Sequence, residues 1–299
     1  MTSTTAGASR RIERSAVAAL FPVAALVPFW LLALAMLWFP LWLLADIPYW
    51  VLPVGWLLAG VALFVPSVQA LVLTPVFGAR KPTDEELAVI TPIWRDLAIS
   101  ANLPQYRYSI RVVDSDELNA FACGGHLLIV TSFALEELSA RELSGVLAHE
   151  LSHHLGLHTA ALTIGHWLSL PVLLLARVGF YLQNVARAAT DSFAAHSSAL
   201  TAIGRVVAAL LNAVAWVFLA ALHAADALSN VVAQASEFEA DRRAVRMGYG
   251  RALADALRRV IALGGGYRAE GWRERLMTSH PPARTRVARI EAMMRHPSR

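Results

Sequence analysis

Two long apolar runs open the chain, and one short turn separates them. Residues 15–45 and 47–79 contain no Asp, Glu, Lys or Arg, and Asp46 lies between them. A helix needs roughly 20 apolar residues to cross the hydrocarbon core of a bilayer, so each run is long enough to span. The pattern predicts a transmembrane hairpin over residues 16–78, after a tail of residues 1–15, in preference to two helices buried in a soluble core.

Charged residues return after this hairpin, and short strands alternate with helices over residues 79–158. The β-branched segments 108–113 and 126–131 predict two strands, and the stretch LNAFACGGH between them predicts an edge strand followed by a turn. Ser139 and Glu142 fit a capping box at the start of a longer helix. This region is predicted to form the first part of an α+β domain.

Two further stretches without Asp, Glu, Lys or Arg, residues 159–176 and 206–225, predict a third and a fourth membrane segment. They belong to a second hairpin, inserted over residues 159–229. Three arginines lie at or between them: Arg177, Arg187 and Arg205. Positive charges on a connection that should face outward oppose the positive-inside rule, so a re-entrant or interfacial hairpin stays an alternative. Residues 230–299 return to a polar, helical pattern.

The composition agrees with a membrane protein, because 57% of the residues are hydrophobic and the mean hydropathy is +0.49. The predicted fold class is a membrane-embedded, mainly α chain with four transmembrane helices and an α+β domain that contains a small sheet. The single cysteine, Cys123, excludes an intramolecular disulfide and a cysteine-based zinc site.

Lysine and arginine flank the first hairpin on one side only. Arg10, Arg11 and Arg14 precede it, Arg80 and Lys81 follow it, and the turn between the two runs has neither. The positive-inside rule then predicts that the N-terminus and everything after residue 79 lie in the cytoplasm.

The formal charge of the last seventy residues is strongly positive. Residues 230–299 contain fourteen arginines against seven acidic residues, a net charge of +7. No nucleic-acid-binding motif accompanies this charge, so we expect no nucleic-acid partner. Attraction to an anionic cytoplasmic leaflet is the simpler interpretation.

The stretch LAHELSHHLGLHT, residues 147–159, contains four histidines and suggests a metal. His149, Glu150 and His153 form the pattern His-Glu-x-x-His. A spacing of four places both imidazoles on one face of a helix, where they can bind one ion, and Glu150 lies beside that face, within reach of a water activated by the metal. The alternative is a polar helix face whose histidines are satisfied by other contacts.

Neither of the other two histidines in this stretch is a good third ligand. A metzincin would place a histidine at position 159, but that residue is Thr159, and His158 comes one position early. If the helix continued, His158 would face away from His149. His154 lies about 100° round the helix from His153, so it is expected to be a neighbour of the site.

A better third ligand lies downstream, in the stretch SEFEAD. Glu237 and Asp241 are four residues apart and share one helix face. Glu237 can complete a His-His-Glu zinc site, which needs three protein ligands and an open position. Asp241 can accept the free ring N–H of a ligating histidine and fix its tautomer. By itself this acidic pair is a weak motif, and a solvated acidic turn would be the default interpretation.

With these motifs in place, the chain resembles the HtpX and CAAX-prenyl-protease family of membrane zinc metallopeptidases. The stretches NAFACGG, VLAHELSHH, SEFEADRRA and TSHPPARTRVARI occur in the family's order, within residues 108–290. The length and the four apolar segments are similar to the HtpX type, because the seven-span prenyl protease needs more membrane segments. One departure is Cys123, where the family often has an aliphatic residue, and we expect no consequence.

The resemblance implies a zincin-like domain and a role for each motif. It implies one Zn²⁺ per chain with the ligands His149, His153 and Glu237, and Glu150 as catalytic base. It implies a substrate-binding edge strand formed by Asn119, Ala120, Phe121 and Ala122. It implies that His280 and Arg286 lie near the site and help to hold the substrate or the developing oxyanion.

The function expected from these observations is zinc-dependent cleavage of membrane or misfolded proteins, in protein quality control and stress response. The enzyme would be a multi-pass protein of a bacterial plasma membrane, with its polypeptide substrates cleaved at the cytoplasmic surface. Neutral imidazoles bind metal better than protonated ones, so activity should fail in acid. The alternatives are a sensor-transducer, for which no connecting loop is large enough, and a non-catalytic scaffold, which would have no need for Glu150.

Overall fold

The structure, a computed structural model, describes residues 18, 20–156, 158–193, 198–263 and 282–296. In chain order, the helices are α1 (Leu20–Ala45), α2 (Val51–Ala62), α3 (Pro66–Phe77), α4 (Asp84–Ser100), α5 (Ser132–Glu137), α6 (Ala140–Leu155), α7 (His158–Phe193), α8 (Ser198–Arg246), α9 (Gly250–Ala262) and α10 (Ala283–Arg295). The strands are β1 (Ala79–Arg80), β2 (Ser109–Val113), β3 (Ala120–Cys123) and β4 (Leu127–Thr131). Helices therefore dominate the described residues, and the predicted fold class is confirmed.

The chain divides into two compact units. One unit consists of the described parts of Val61–Thr163 and Asn230–Arg299 and contains the sheet. The other consists of Leu20–Gly60 and the described parts of Ile164–Ser229. The predicted domain boundaries at residues 78, 158 and 229 stay a prediction.

Three helices in the described part of the chain are long and apolar enough to cross a membrane: Leu20–Ala45, Thr159–Asp191 and Thr201–Asp226. In the second unit, Trp30 and Leu34 of α1 are buried with Phe218 of α8. A Cβ atom added to Gly179 would lie 2.8 Å from the Cβ atom of Ala215, so α7 and α8 pack closely there. Small residues allow this approach, as they do between helices in a bilayer.

The second apolar run, residues 47–79, was expected to form one span, but it forms two short helices. Helices α2 and α3 are bent by 92° and count as a fourth candidate span only if the bent pair is taken as one. Pro66 is the first residue of α3, and Val65 before it is extended, with ψ 122°. Proline has no N–H to continue the preceding helix and disfavours helical geometry in the residue before it. Hydropathy alone does not register such a break.

The sheet has the strand order β1-β2-β4-β3. Strands β2 and β4 are parallel, whereas β3 runs antiparallel to β4 with Phe121 opposite Ile129. The two strands predicted at 108–113 and 126–131 are confirmed, and so is the edge position of the strand between them. One side of β3 is therefore free of strand partners in the described structure.

Each face of the sheet is covered by a helix of the same unit. Leu128 and Val130 of β4 are fully buried in a cluster that includes Leu147 of α6. Phe121 and Ile129 belong to the cluster on the other side, where Phe77 of α3 packs. The strand β3 thus lies between α3 and α6.

Helix α6 begins and ends where the sequence indicates. The hydroxyl of Ser139 accepts from the backbone N–H of Glu142, and the Glu142 carboxylate accepts from the backbone N–H of Ser139, so the predicted capping box is confirmed. These bonds hold the pKa of Glu142 below its ordinary value. Helix α9 packs directly on α6, with Leu253 only 2% exposed, so the helix with the histidines is supported from both sides.

Candidate active site

Helix α6 turns the two histidines of the motif toward each other. His149 and His153 are 2% and 7% exposed, and their Nε2 atoms lie 3.2 Å apart. The rings are nearly perpendicular, at 84°. This arrangement follows from the four-residue spacing, which stacks the side chains on one helix face.

Glu237 of α8 reaches the same point from a different part of the sequence. Its Oε2 atom lies 3.2 Å from Nε2 of His149, and its Oε1 atom lies 3.1 Å from Nε2 of His153. One ligand atom from each of the three side chains lies within 4.8 Å of the others. Glu237 is 4% exposed. A buried group of this kind is able to hold a metal ion.

The separations between the donor atoms fit zinc. A tetrahedral zinc site with bonds of about 2.0–2.1 Å places its nitrogen and oxygen donors roughly 3.3 Å apart. The two Nε2 atoms are 3.2 Å apart, and each lies 3.1–3.2 Å from a different oxygen of the Glu237 carboxylate, which faces both rings. Two imidazoles and one carboxylate are also a donor set that zinc prefers in catalytic sites, where a fourth position stays open.

Asp241 and Arg286 form a second layer behind the donors. The Nδ1 atom of His149 lies 2.9 Å from Oδ1 of Asp241, a distance at which Nδ1–H can donate to the carboxylate. Arg286 donates from Nε and Nη2 to the two Asp241 oxygens, at 3.0 and 2.7 Å. Its Nη1 atom lies 3.3 Å from Oε2 of Glu237, and Nη2 lies 3.1 Å from Nε2 of His149. Arg286 therefore contacts the donor set itself.

Opposing influences act on the ionisation of His149. Burial and the charge of Arg286 lower its pKa, but Glu237 and Asp241 outweigh them and raise the pKa to about 9. Burial alone would raise the pKa of Asp241, but its contacts with His149 and Arg286 lower it to about 2. Asp241 is thus ionised throughout the physiological range.

Glu150 lies beside the histidines and touches the edge strand. It is 3% exposed, and its Oε2 atom accepts a hydrogen bond from the backbone N–H of Ala122 at 3.0 Å. At the start of the strand, Asn119 accepts from the N–H of Thr131 at 3.0 Å. Antiparallel pairs alternate, so Ala120 and Ala122 direct their own N–H and C=O groups away from β4, toward the free edge.

The remaining histidines of the stretch take other positions. Helix α6 ends at Leu155, before His158. His158 is therefore not part of the helix that positions His149 and His153. His154 was expected to be a neighbour; its Nε2 lies 3.0 Å from the carbonyl oxygen of Leu127, and its Nδ1 lies 3.2 Å from Oγ1 of Thr159. Burial lowers the pKa of His154 to about 3. His280, which was expected near the site, lies outside the described residues.

One polar contact at the site has no counterpart in the sequence analysis. The hydroxyl oxygen of Ser236 lies 3.4 Å from Nδ1 of His153, a long contact on the side of the ring away from Glu237. Ser236 is 4% exposed. A histidine that binds a metal through one ring nitrogen usually has a hydrogen-bond partner on the other. This rule is the reason to look for a polar residue such as Ser236 beside Nδ1 of His153.

A buried His-His-Glu group, a glutamate beside it and a strand with a free edge together define the site of a metallopeptidase. Comparison with known protein families agrees with this class. Residues 85–294 match peptidase family M48, and the chain belongs to that family. The resemblance seen in the sequence motifs is thereby confirmed, and the chain is a membrane metallopeptidase that acts on polypeptides.

Two proteins similar in sequence are named as proteases, and one solved structure is similar in fold. A protein named Protease HtpX homolog from Acaryochloris marina is 31% identical over 228 residues, 68% of this chain and 72% of the relative. The homologue of the same name from Bifidobacterium longum is 27% identical over 241 residues, 72% of this chain and 74% of the relative. The crystal structure of S. mikatae Ste24p aligns at a TM-score of 0.46 and 18% identity, over 86% of this chain. The alignment covers 62% of that protein, so this chain spans less than two thirds of its length.

Proposed function

We propose that this chain is a zinc-dependent endopeptidase that cleaves membrane or misfolded proteins at the cytoplasmic surface of the membrane. The observation on which the proposal mainly rests is the convergence of His149, His153 and Glu237 at 3.1–3.2 Å, with Glu150 buried beside them. The relatives named Protease HtpX homolog support the same activity.

Each residue of the proposed site has a distinct task. His149, His153 and Glu237 would hold the ion. When bound, zinc supplies a Lewis acid that polarises the scissile carbonyl and makes the attacking water more acidic. Asp241 fixes the tautomer of His149, and Arg286 holds Asp241 and Glu237 in place through its ion pairs. Arg286 is thus proposed as a positioning residue, and a contact of Arg286 or His280 with substrate stays a prediction.

Glu150 is proposed as the general base. One of its oxygens, Oε2, accepts from the N–H of Ala122, and the other is left to receive a proton from the attacking water. The hydroxyl oxygen of that water adds to the scissile carbonyl carbon, and Glu150 then returns the proton to the amide nitrogen as the C–N bond breaks. The products are a carboxylate and a free amine.

The substrate is proposed to bind as an added strand along β3. The N–H and C=O groups of Ala120 and the C=O group of Ala122 face the free edge, so an extended peptide can pair with them by β-augmentation, while the N–H of Ala122 donates to Glu150. Main-chain pairing places a peptide bond beside Glu150 without requiring a particular side chain. This geometry suits an enzyme that cleaves many unfolded segments.

Metal analysis and proteolysis test the proposal directly. Purified wild-type protein should contain one zinc per chain and cleave casein, and a chelator should stop the cleavage. Glu237→Ala should lose both zinc and activity, whereas Glu150→Gln should keep zinc and lose activity. Glu239→Ala is the matched control, because Glu239 lies on the same helix but pairs with Arg242 and Arg246. Zinc and activity at wild-type levels in Glu237→Ala would contradict the ligand set.

The proposed orientation needs a separate test. Asp46 lies in the turn between α1 and α2, and Glu85 is exposed at the start of α4. In intact cells, a membrane-impermeant thiol reagent should label Asp46→Cys but not Glu85→Cys, and both should react after lysis. Labelling of Glu85→Cys in intact cells would place the catalytic part outside.

A further inference from the structure

Gln69 is a polar residue within the second apolar run and is the fourth residue of α3. It is 1% exposed, so its amide is as deeply buried as the residues of the hydrophobic core. Burying an amide without hydrogen bonds costs free energy, and a long apolar helix would be more stable with an aliphatic residue there. Its contacts therefore need an explanation.

Both halves of the Gln69 amide bind main-chain atoms. Its Nε2 donates to the carbonyl oxygen of Leu63, at 3.2 Å, in the break between α2 and α3. Its Oε1 accepts from the N–H of His126, at 3.1 Å, in the turn that joins β3 to β4. The carbonyl oxygen of His126 accepts from the N–H of Ser109 at 2.8 Å. One side chain thus joins the helix break to the end of the β3–β4 hairpin.

The turn of this hairpin is built around Gln69. Gly124 has φ +60°, a left-handed conformation that favours glycine. A Cβ atom added to Gly124 would lie 1.7 Å from Nε2 of Gln69. The left-handed backbone therefore favours glycine at position 124, and any larger residue there would displace the Gln69 amide from its present place.

The same helix supports the strand along its length. Phe77 and Phe121 meet edge to face, with ring centroids 5.1 Å apart. Leu73 and Cys123 belong to the same cluster. The side chain of Phe121 points toward α3, so that of Ala122 points to the opposite face of the sheet. The backbone N–H of Ala122 lies in the plane of the sheet and donates to Glu150 at the free edge.

We propose that Gln69 is a positioning residue that fixes the β3–β4 hairpin and so sets the free edge on which a substrate peptide pairs. The inference rests on the proposed function, in which β3 binds the substrate. A four-residue strand with one strand neighbour has few hydrogen bonds of its own, so the anchor at its turn determines where its outward N–H and C=O groups lie. The side-chain hydrogen bonds of Gln69 go to main-chain atoms of Leu63 and His126, so its effect on the site would pass through the hairpin and not through the metal-binding side chains.

The test is steady-state cleavage of a defined peptide by Gln69→Leu, with the cleavage sites identified by mass spectrometry. Losing both main-chain hydrogen bonds should raise KM about tenfold, with kcat within about twofold of wild type. A displaced strand should also spread cleavage over neighbouring peptide bonds. Leu71→Ala is the matched control, because Leu71 lies on the same helix, is 75% exposed and should leave KM unchanged.

Two further variants keep the result decisive. Gln69→Glu retains an oxygen for the N–H of His126, so it should raise KM less than Gln69→Leu, and it serves if the leucine variant does not fold. Ala120→Pro removes an outward N–H of the free edge and should raise KM whether or not Gln69 matters. If Ala120→Pro leaves KM unchanged, the substrate strand of the proposed function is wrong. If Ala120→Pro raises KM while both Gln69 variants keep wild-type KM and cleavage sites, the role of Gln69 is wrong.

Discussion

The contact between α6 and α9 allows a sharp prediction at Gly145, one helical turn before His149. A Cβ atom added there would lie 2.2 Å from the backbone nitrogen of Leu253 and 2.4 Å from the carbonyl carbon of Ala252. Both are main-chain atoms, so no side-chain rotation relieves the overlap. The two helices would have to separate by about 1 Å before the contact became ordinary.

Two opposing effects decide the outcome of Gly145→Ala. Alanine is favoured over glycine inside a helix by about 1 kcal/mol, which alone would stabilise the variant. Overpacking typically costs about 1–3 kcal/mol, and a gap of about 1 Å also forfeits a quarter to a half of the dispersion energy of the facing atoms. The buried residues at this contact include Ala252, Leu253 and Ala256. We therefore expect a net loss of stability of about 2 kcal/mol or more.

The assay combines thermal unfolding in detergent with activity. Gly145→Ala should unfold several degrees below wild type. A shift of about 1 Å in His149 should lower kcat/KM by about a hundredfold even at temperatures where the variant is folded. Ser144→Ala is the matched control. Ser144 is the neighbouring residue, and its hydroxyl donates to the carbonyl oxygen of Arg141 within the same helix, so this substitution should change stability by less than about 0.5 kcal/mol. A Gly145→Ala protein at least as stable as wild type would refute this reasoning.

Three further predictions concern the site and the fold around it. Asp241→Asn removes the charge that contacts His149 and Arg286, so the affinity for zinc should fall about 10- to 100-fold. Competition with a chelating dye measures this affinity, and an unchanged value would contradict the proposal that Asp241 fixes the tautomer of His149. A chelator should lower the midpoint of thermal unfolding as well as the activity, and added Zn²⁺ should restore both, because an ion that binds the folded state stabilises it. An unfolding midpoint that does not change with chelator would argue against the metal site. Hydrogen bonds from Arg80 hold the pKa of Glu86 below its ordinary value of 4.5, so Glu86 stabilises the fold above that pH and the contribution disappears as the pH falls further. Glu86→Gln should therefore cost about 1 kcal/mol at pH 7 in a denaturant titration, with the difference shrinking in acid, and a difference independent of pH would oppose this.

Local patterns predict most of the secondary structure because its causes are local. The capping box at Ser139, the strands β2 and β4 and the long uncharged runs each depend on residues within one turn or one strand. The break before Pro66 is different. Proline is tolerated in other helices of this chain, at Pro28 and Pro171 for example, so its presence alone does not reveal where a helix ends. What distinguishes Pro66 in the structure is the extended Val65 before it, with ψ 122°, and that conformation is not specified by the proline alone.

The site divides in the same way. A spacing of four places His149 and His153 together, and this follows from helix geometry alone. Glu237 comes 84 residues after His153, and no periodicity relates the two positions. Arg286 is one of many arginines in a basic helix, and only the structure distinguishes it as 4% exposed with Asp241 and Glu237 as partners. Burial of a charge depends on tertiary packing, which local sequence does not specify.

The buried charges explain why these distant residues belong together. Glu150, Glu237 and Asp241 are three carboxylates at most 4% exposed, and Arg286 is the cation that pairs with two of them. Buried charges are tolerated when they are compensated, and this set, with neutral histidines, has a net charge of −2. A divalent cation would neutralise it. The same excess of negative charge raises the pKa of His149 to about 9, so a proton and a metal ion compete for the site, and binding of zinc should release protons. Arg286 opposes the proton in this competition, because its charge lowers the pKa of His149; without Arg286 the carboxylates would hold His149 protonated more firmly.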